Sequence, residues 1–332
     1  MSDVLIETTD LCKSFDLQAG FFAKKDKNVF AVNSVNLKIM RGETYGIVGE
    51  SGCGKTTTAR LLIKMYKATS GKIIYHDENG AHDISTLNKK ETKLYQEKVK
   101  YIFQDPAKSL NPRMTVYTVM TDGLRHSSKK LSEDEIYERA KKAITDVGLT
   151  EADLQKRPSE FSGGQRQRIS IARGLILEPD LLICDEVVSA LDVSIQAQVL
   201  NLLSDLRKKN NLSFLFITHD LRVACFFCDR IGVMYRGVLV EEGPAKDLYK
   251  NAVHPYTKLL FEAASGITSK SSVEVKTVLE QEKGCPFAHR CPKATDRCFA
   301  ECPEFKSVGA DGASSESGSS SVSAHTVRCW EA

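Results

Sequence analysis

The chain has 332 residues, of which 42% are hydrophobic and 27% charged, with a formal charge of +3. That balance builds a large core and excludes a dedicated nucleic-acid binder, which needs a marked basic excess. No apolar run reaches the roughly 18 residues that span a bilayer. Met1–Asp10 lacks the basic end and apolar middle of a signal peptide. The expectation is a cytosolic chain that reaches a membrane only through a partner.

In chain order, Thr44–Val48 is a short apolar run ending at a Gly-rich turn, which predicts a strand feeding a helix. Ser132–Asp146 is highly charged with Ile136, Ala140 and Ile144 on one face, an amphipathic helix. Leu181–Cys184 and Phe214–Thr218 are unbroken apolar runs, as strands of a parallel sheet are when both faces are covered. Between them Ile195, Val199, Leu202, Leu203 and Leu206 recur at helical spacing. Ile231–Val240 alternates around Arg236–Gly237 and reads as a hairpin. Residues 1–260 thus read as one α/β domain. Beyond it Ser265–Lys283 is polar and weakly patterned, and Ser307–Ser323 reads as a flexible Ser/Gly excursion.

The string Gly49-Glu50-Ser51-Gly52-Cys53-Gly54-Lys55-Thr56 fits the phosphate-binding loop pattern, with Thr57 continuing the helix. Its glycines let successive backbone N–H groups face one point, where an anion also meets the positive end of the helix. Lys55 is placed to reach the β- and γ-phosphates, and the Thr56 hydroxyl to bind Mg²⁺. Without the strand and helix the same string would be an ordinary turn. Farther on, the Leu181–Cys184 strand ends in Asp185, the position that holds Mg²⁺ through water, and Glu186 follows, placed to activate or position the attacking water.

Phe161-Ser162-Gly163-Gly164-Gln165-Arg-Gln-Arg168 resembles the signature motif of ABC ATPases. Gln104 before Asp105-Pro106, then Ser189-Ala-Leu-Asp192 and Thr218-His219-Asp220, complete the motif order of an ABC cassette over roughly residues 1–260. The resemblance implies a P-loop NTPase fold: a RecA-like core, an antiparallel β subdomain and a helical signature subdomain. It also implies roles. Phe15 would stack on adenine, although alone it reads as core. Gln104 would sense Mg²⁺ and the γ-phosphate and signal to a membrane subunit. Ser162, Gly163, Gly164 and Gln165 would meet ATP bound on a second cassette, with Asp192 at that interface. His219 would hold the γ-phosphate and the attacking water together with Glu186. The family usually has Pro after the catalytic acid; here Val187 stands there, which bears on the stiffness of that turn.

Ile102-Phe-Gln-Asp-Pro-Ala-Lys-Ser-Leu-Asn-Pro-Arg113, Ser189–Gln196, the insert Asp16–Phe30 and the exit His254–Leu260 look like the dipeptide and oligopeptide importers of that family. Such a cassette pairs with a second cassette, usually a paralogue, and with two permeases fed by an external binding protein. It works at the cytoplasmic face of the cell membrane and binds no nucleic acid. Importers of nickel or glutathione have similar cassettes. A soluble ABC ATPase would show tandem cassettes or a coiled-coil insertion, and no heptad run is present.

Ten cysteines remain to be placed. Cys12, Cys53, Cys184, Cys225 and Cys228 read as buried fillers. Residues 261–332 form a cysteine-rich tail, in which Cys285, Cys291 and Cys298 are spaced by five and six residues, with Cys329 beyond the Ser/Gly excursion. In the subfamily such cysteines hold a 4Fe–4S cluster. By their chemistry alone four thiolates suit a cluster or zinc, and free thiols stay open as well. Cys302 reads as a spare, with a Cys302-for-Cys298 swap left open. The tail contains none of the phosphate motifs, so ATP hydrolysis is expected to survive changes to its cysteines. Lys208-Lys209 and Arg166–Arg168 read as solvated charge.

Overall fold

Thr44–Val48 is buried at every residue and pairs in parallel with Arg230–Tyr235, Tyr45 opposite Arg230 and Val48 opposite Val233. A strand covered on both faces needs no polar alternation, which is why this run shows none. The computed structural model describes residues 3–16, 28–264, 283–308 and 324–331. Most of the insert between Asp16 and Phe30, the polar stretch from Ser265 and the Ser/Gly excursion lie outside the described residues. The chain divides into two compact units, one of Met1–Met40, Thr44–Ser85 and Ile217–Ala332, the other of Arg41–Glu43 and Thr86–Phe216.

In the first unit, Arg230–Tyr235 turns back into Val238–Pro244 through Arg236 and Gly237, both left-handed at φ 44° and 83°. Two left-handed residues match a type I′ turn, which suits the twist of a hairpin. Val238–Pro244 also carries the short strand Thr326–Val327, which in turn pairs with Lys306–Ser307, so the tail extends this sheet. A separate antiparallel sheet runs Asn28–Val35, Val4–Asp16, Ser70–Asp77, Gly80–Asp83, with Lys38–Met40 on Val4–Asp16.

The second unit pairs Val99–Ile102 in parallel with the fully buried Leu181–Asp185. Helix Glu133–Asp146 buries Ile136, Ala140, Ala143 and Ile144, and Ser132 and Glu135 close its start as a capping box. Three acids in its first turn complement the helix dipole. Helix Val193–Asn210 buries Val199, Leu200, Leu203 and Leu206. Ile195 and Leu202, expected on that stripe, are half-exposed. Ile195 lies in an exposed first turn, and the buried stripe is rotated toward Leu200. Lys209 is ion-paired with Asp146 at 2.6 Å, whereas Arg168 donates to the neutral amide of Gln198 at 3.1 Å. Of the scattered cysteines, Cys53, Cys184 and Cys228 are buried, whereas Cys12 and Cys225 are half-exposed.

His254 is 1% exposed, and its Nδ1 accepts the Tyr256 N–H at 3.1 Å. Burial lowers its pKa to about 4 against the pull of Glu241. A histidine depressed in the folded state stays neutral while the unfolded chain protonates. Stability is therefore retained above the unfolded value near 6.5 and lost as pH falls toward about 4. We expect a loss on the order of 3 kcal/mol across that window. Urea midpoints at several pH values should show it, and His254→Asn, which keeps an acceptor without the titration, should flatten it.

Candidate phosphate-binding and catalytic site

The loop between Thr44–Val48 and helix Lys55–Leu62 is held from several sides within the first unit. Gly237 N–H bonds the Cys53 carbonyl at 2.8 Å, tying the loop to the hairpin turn. Tyr256 Oη accepts the Glu50 N–H at 2.9 Å. Lys55 is 4% exposed and donates to the carbonyls of Gly49 and Glu50 at 2.8 and 2.9 Å. Its ammonium is thus buried at the centre of the loop, while Ser51 and Gly52 face solvent and Thr56 and Thr57 are half-buried on the first turn. Gly54 takes φ +110°, and a Cβ there would stand 2.2 Å from the Ala31 carbonyl oxygen. Burial raises the Cys53 thiol pKa, so Cys53 is a filler of the loop and not a nucleophile.

The acidic residues gather in the second unit. Asp185 closes the strand Leu181–Asp185, and the Tyr101 hydroxyl donates to its Oδ2. Gln104 Nε2 donates to Glu186 Oε2 at 2.6 Å. Glu186 has left-handed backbone, φ 50°, a strained state for a non-glycine residue that recurs at functional positions. Its carbonyl accepts the Ser189 hydroxyl at 2.8 Å and the Ser189 N–H at 3.2 Å. Val187 and Val188 are each 2% exposed. The turn is fixed by those bonds and by burial, without the Pro that the family usually carries.

Ser162 caps helix Gly163–Leu175: its Oγ accepts the Gln165 N–H at 3.3 Å, and Gln165 Oε1 accepts the Ser162 N–H at 3.0 Å. Ser162, Gly163 and Gln165 are exposed and Gly164 half-buried, so this helix start presents its N–H groups outward. Asp192 is exposed at the start of helix Val193–Asn210, beside Val193 at 82% exposure. Phe15 is 38% exposed, in a T-shaped contact with Tyr66 at 5.6 Å and with Lys13 Nζ 5.0 Å from its ring centroid, so it does not fill a core. His219 is exposed at the end of strand Ser213–Thr218. A cleft of about 370 Å³ in the second unit, lined by Arg41, Arg139 and Asp180 among others, includes none of the motif residues.

In the tail, Cys298 and Cys329 are buried, Cys285 and Cys291 half-exposed and Cys302 exposed. Cys285 N–H bonds the Cys298 carbonyl at 2.7 Å. Burial first, then the neighbouring thiols of Cys302, Cys329 and Cys298, push the Cys285 pKa up to about 11. The thiols therefore share one neighbourhood, and Cys302, expected as a spare, belongs to it. Among the described residues, however, no three of His, Cys, Asp and Glu are gathered closely enough to hold a metal ion.

The sequence placed the tail apart from the phosphate loop, and the structure brings them together. Arg290 forms a two-pronged ion pair with Glu50, Nη1 to Oε2 at 2.8 Å and Nη2 to Oε1 at 3.0 Å. Phe287, 1% exposed, packs on Tyr235, Tyr256 and His254 at ring separations of 5.2, 5.4 and 5.7 Å. Tyr101, Tyr256 and Arg290 were not singled out by the sequence.

Residues 32–189 match the ABC transporter family, and residues 240–298 match the C-terminal region of oligopeptide/dipeptide transporters. The chain is 42% identical over 315 residues to the oligopeptide transport ATP-binding protein AppF of Bacillus subtilis, covering 92% of this chain and 94% of that one. It is 44% identical over 311 residues to the oligopeptide transport ATP-binding protein OppF of Salmonella typhimurium, covering 90% and 92%. Among solved structures it is similar to cbiO1 of Clostridium perfringens, part of an ABC transporter complex, at TM-score 0.64 and 28% identity, covering 75% of this chain and 92% of that one. A bacterial ABC transporter cassette solved as a dimer aligns at TM-score 0.62 and 26% identity, covering 73% and 99%.

The loop geometry sets up a comparison of two glycines. Gly54→Ala should lose nucleotide binding and about 2 kcal/mol of stability, because its Cβ meets a backbone carbonyl. Gly52, at φ +79° with open space around a Cβ, should pay only the roughly 1 kcal/mol of left-handed backbone when changed to Ala. Thermal melts and ATP titration of the two variants check the ordering.

Proposed function

The chain belongs to the ATP-binding subunits of oligopeptide ABC transporters, and within that family we propose which of its residues perform each step. It is the ATP-hydrolysing subunit that powers oligopeptide import. The observation that carries this is sequence identity above 40% to two such subunits along about nine-tenths of each chain. The loop Gly49–Thr57 holds the phosphates, with Lys55 as their main cation and Thr56 and Asp185 on Mg²⁺. Phe15 stacks on the base.

Glu186 accepts the proton of the attacking water, and His219 holds that water and the γ-phosphate. The 2.6 Å Gln104–Glu186 bond supports this reading, because one amide orients the carboxylate before nucleotide arrives. Ser162–Gln165 and Asp192 serve a second cassette, a role supported by their outward exposure. That cassette is a paralogue in our reading. The cassette proper ends near residue 260. Two permease subunits, fed by an external binding protein, carry the peptide. Among the described residues no helix is long and apolar enough to cross a membrane, in keeping with a peripheral subunit on the cytoplasmic face.

For the tail we propose Cys285, Cys291, Cys298 and Cys329 as the ligands of a 4Fe–4S cluster, with zinc as the alternative. The burial of Cys298 and Cys329 and the Cys285–Cys298 backbone bond support it, together with the soft thiolate donor set. Binding would require the thiols to draw closer than they stand here. No step of ATP hydrolysis is routed through this group.

Glu186→Gln should keep ATP binding and lose steady-state turnover, since an amide cannot accept the proton. Turnover of the purified variant within a few-fold of the parent chain would remove Glu186 from its role. Anaerobically purified protein should carry iron and sulfide in near-equal amounts, and changing Cys285, Cys291 and Cys298 to Ser should remove both. One zinc without iron selects the alternative.

A further inference from the structure

We propose that Arg290 of the tail is a positioning residue for the ATP site, acting through the carboxylate of Glu50. The inference rests on the loop Gly49–Thr56 being the phosphate site. Glu50 is an acid in a loop that must receive a polyanion, which is an electrostatic liability. Its three polar groups are each engaged: the N–H on Tyr256 Oη, the carbonyl on Lys55 Nζ and the carboxylate on Arg290. The paired Arg290 and Glu50 side chains are 15% and 32% exposed, so solvent screens the pair only in part. A two-pronged guanidinium–carboxylate pair fixes direction as well as charge. It draws the negative carboxylate toward the tail and neutralises it, and with Tyr256 it holds the backbone that presents Lys55.

The reach of Arg290 is itself set by the tail. A tight turn, Ala288–Arg290, is closed by Ala288 N–H to Cys285 O at 3.0 Å, Arg290 N–H to Phe287 O at 3.0 Å and Cys291 N–H to Ala288 O at 3.2 Å. Cys285 and Cys291 bracket this turn, and Phe287 anchors it among Tyr235, Tyr256 and His254. Anything that rearranges those two cysteines moves the guanidinium relative to Glu50. The folded state of the tail is therefore read out as affinity for ATP.

The test measures the ATP dissociation constant by calorimetry, together with KM and kcat, on the full chain and its variants. R290Q should weaken ATP binding roughly three- to tenfold, with the effect on KM rather than kcat and shrinking as salt rises. E50Q combined with R290Q should return affinity to within about twofold of the parent, because the uncompensated charge is gone. R290K, which keeps the charge but loses the fork, should fall between, and it remains informative if R290Q melts too early to assay. C285S should weaken ATP binding in the parent background and add nothing in the R290Q background.

Parent-like affinity in R290Q, or a double variant as weak as R290Q alone, would overturn the proposal. K55A separates the two readings. If K55A loses ATP while R290Q does not, only the role of Arg290 fails; if K55A also binds normally, the phosphate site itself is misassigned.

Discussion

The Lys55 ammonium, folded onto the carbonyls of Gly49 and Glu50, is the contact around which the first unit is arranged. A loop that gathers N–H groups for an anion also gathers dipoles that repel one another until a charge arrives. An internal cation that bonds the loop's own carbonyls keeps it folded in the meantime. Everything else braces that loop: a fully buried strand behind it, the hairpin turn bonded to Cys53, the helix after it and the phenol of Tyr256. The second unit offers a matching economy. Its acids are each given a neutral donor, Tyr101 for Asp185 and Gln104 for Glu186. A donor aimed at a carboxylate oxygen fixes where that oxygen points.

What the sequence disclosed and what it hid divide by contact distance along the chain. Thr44–Val48, the turn at Arg236–Gly237 and helix Glu133–Asp146 were legible because runs, periodicity and capping pairs are local signals. The strand, glycine loop and helix around Gly49–Thr56 were legible for the same reason, as eight consecutive residues carry the loop. The Tyr101–Asp185, Tyr256–Glu50 and Arg290–Glu50 bonds join residues separated by 84, 206 and 240 positions. No pattern within a window reports such a pair. The errors have the same origin. Ile195 and Leu202 fit the helical period, but which flank of Val193–Asn210 is covered depends on what packs against it. Phe15 alone read as core, yet its side chain is 38% exposed.

The tail is the clearest case of a segment whose composition and placement give different messages. Its cysteines and polar excursion read as a separate appendage. In the fold its strands extend the sheet from which the Gly49–Thr56 loop leaves, and Phe287, 1% exposed, is buried like a core residue. His325 bonds the buried Glu241 at 2.8 Å, which also accepts the N–H groups of Val253 and His254. One carboxylate thus ties a residue near the chain's end to the exit of the cassette. A small cysteine-bearing region too short for a core of its own borrows one by docking.

The left-handed backbone of Glu186 sets selection for folding against selection for work. Glycine would adopt φ 50° without steric cost, and asparagine at less cost than glutamate. A library screened only for expression or heat resistance should therefore drift toward those residues at position 186 and discard the carboxylate. On the role proposed for Glu186, surviving glutamate at that position marks a lineage in which the chain was required to turn over, and its loss is the early sign of a copy released from that duty.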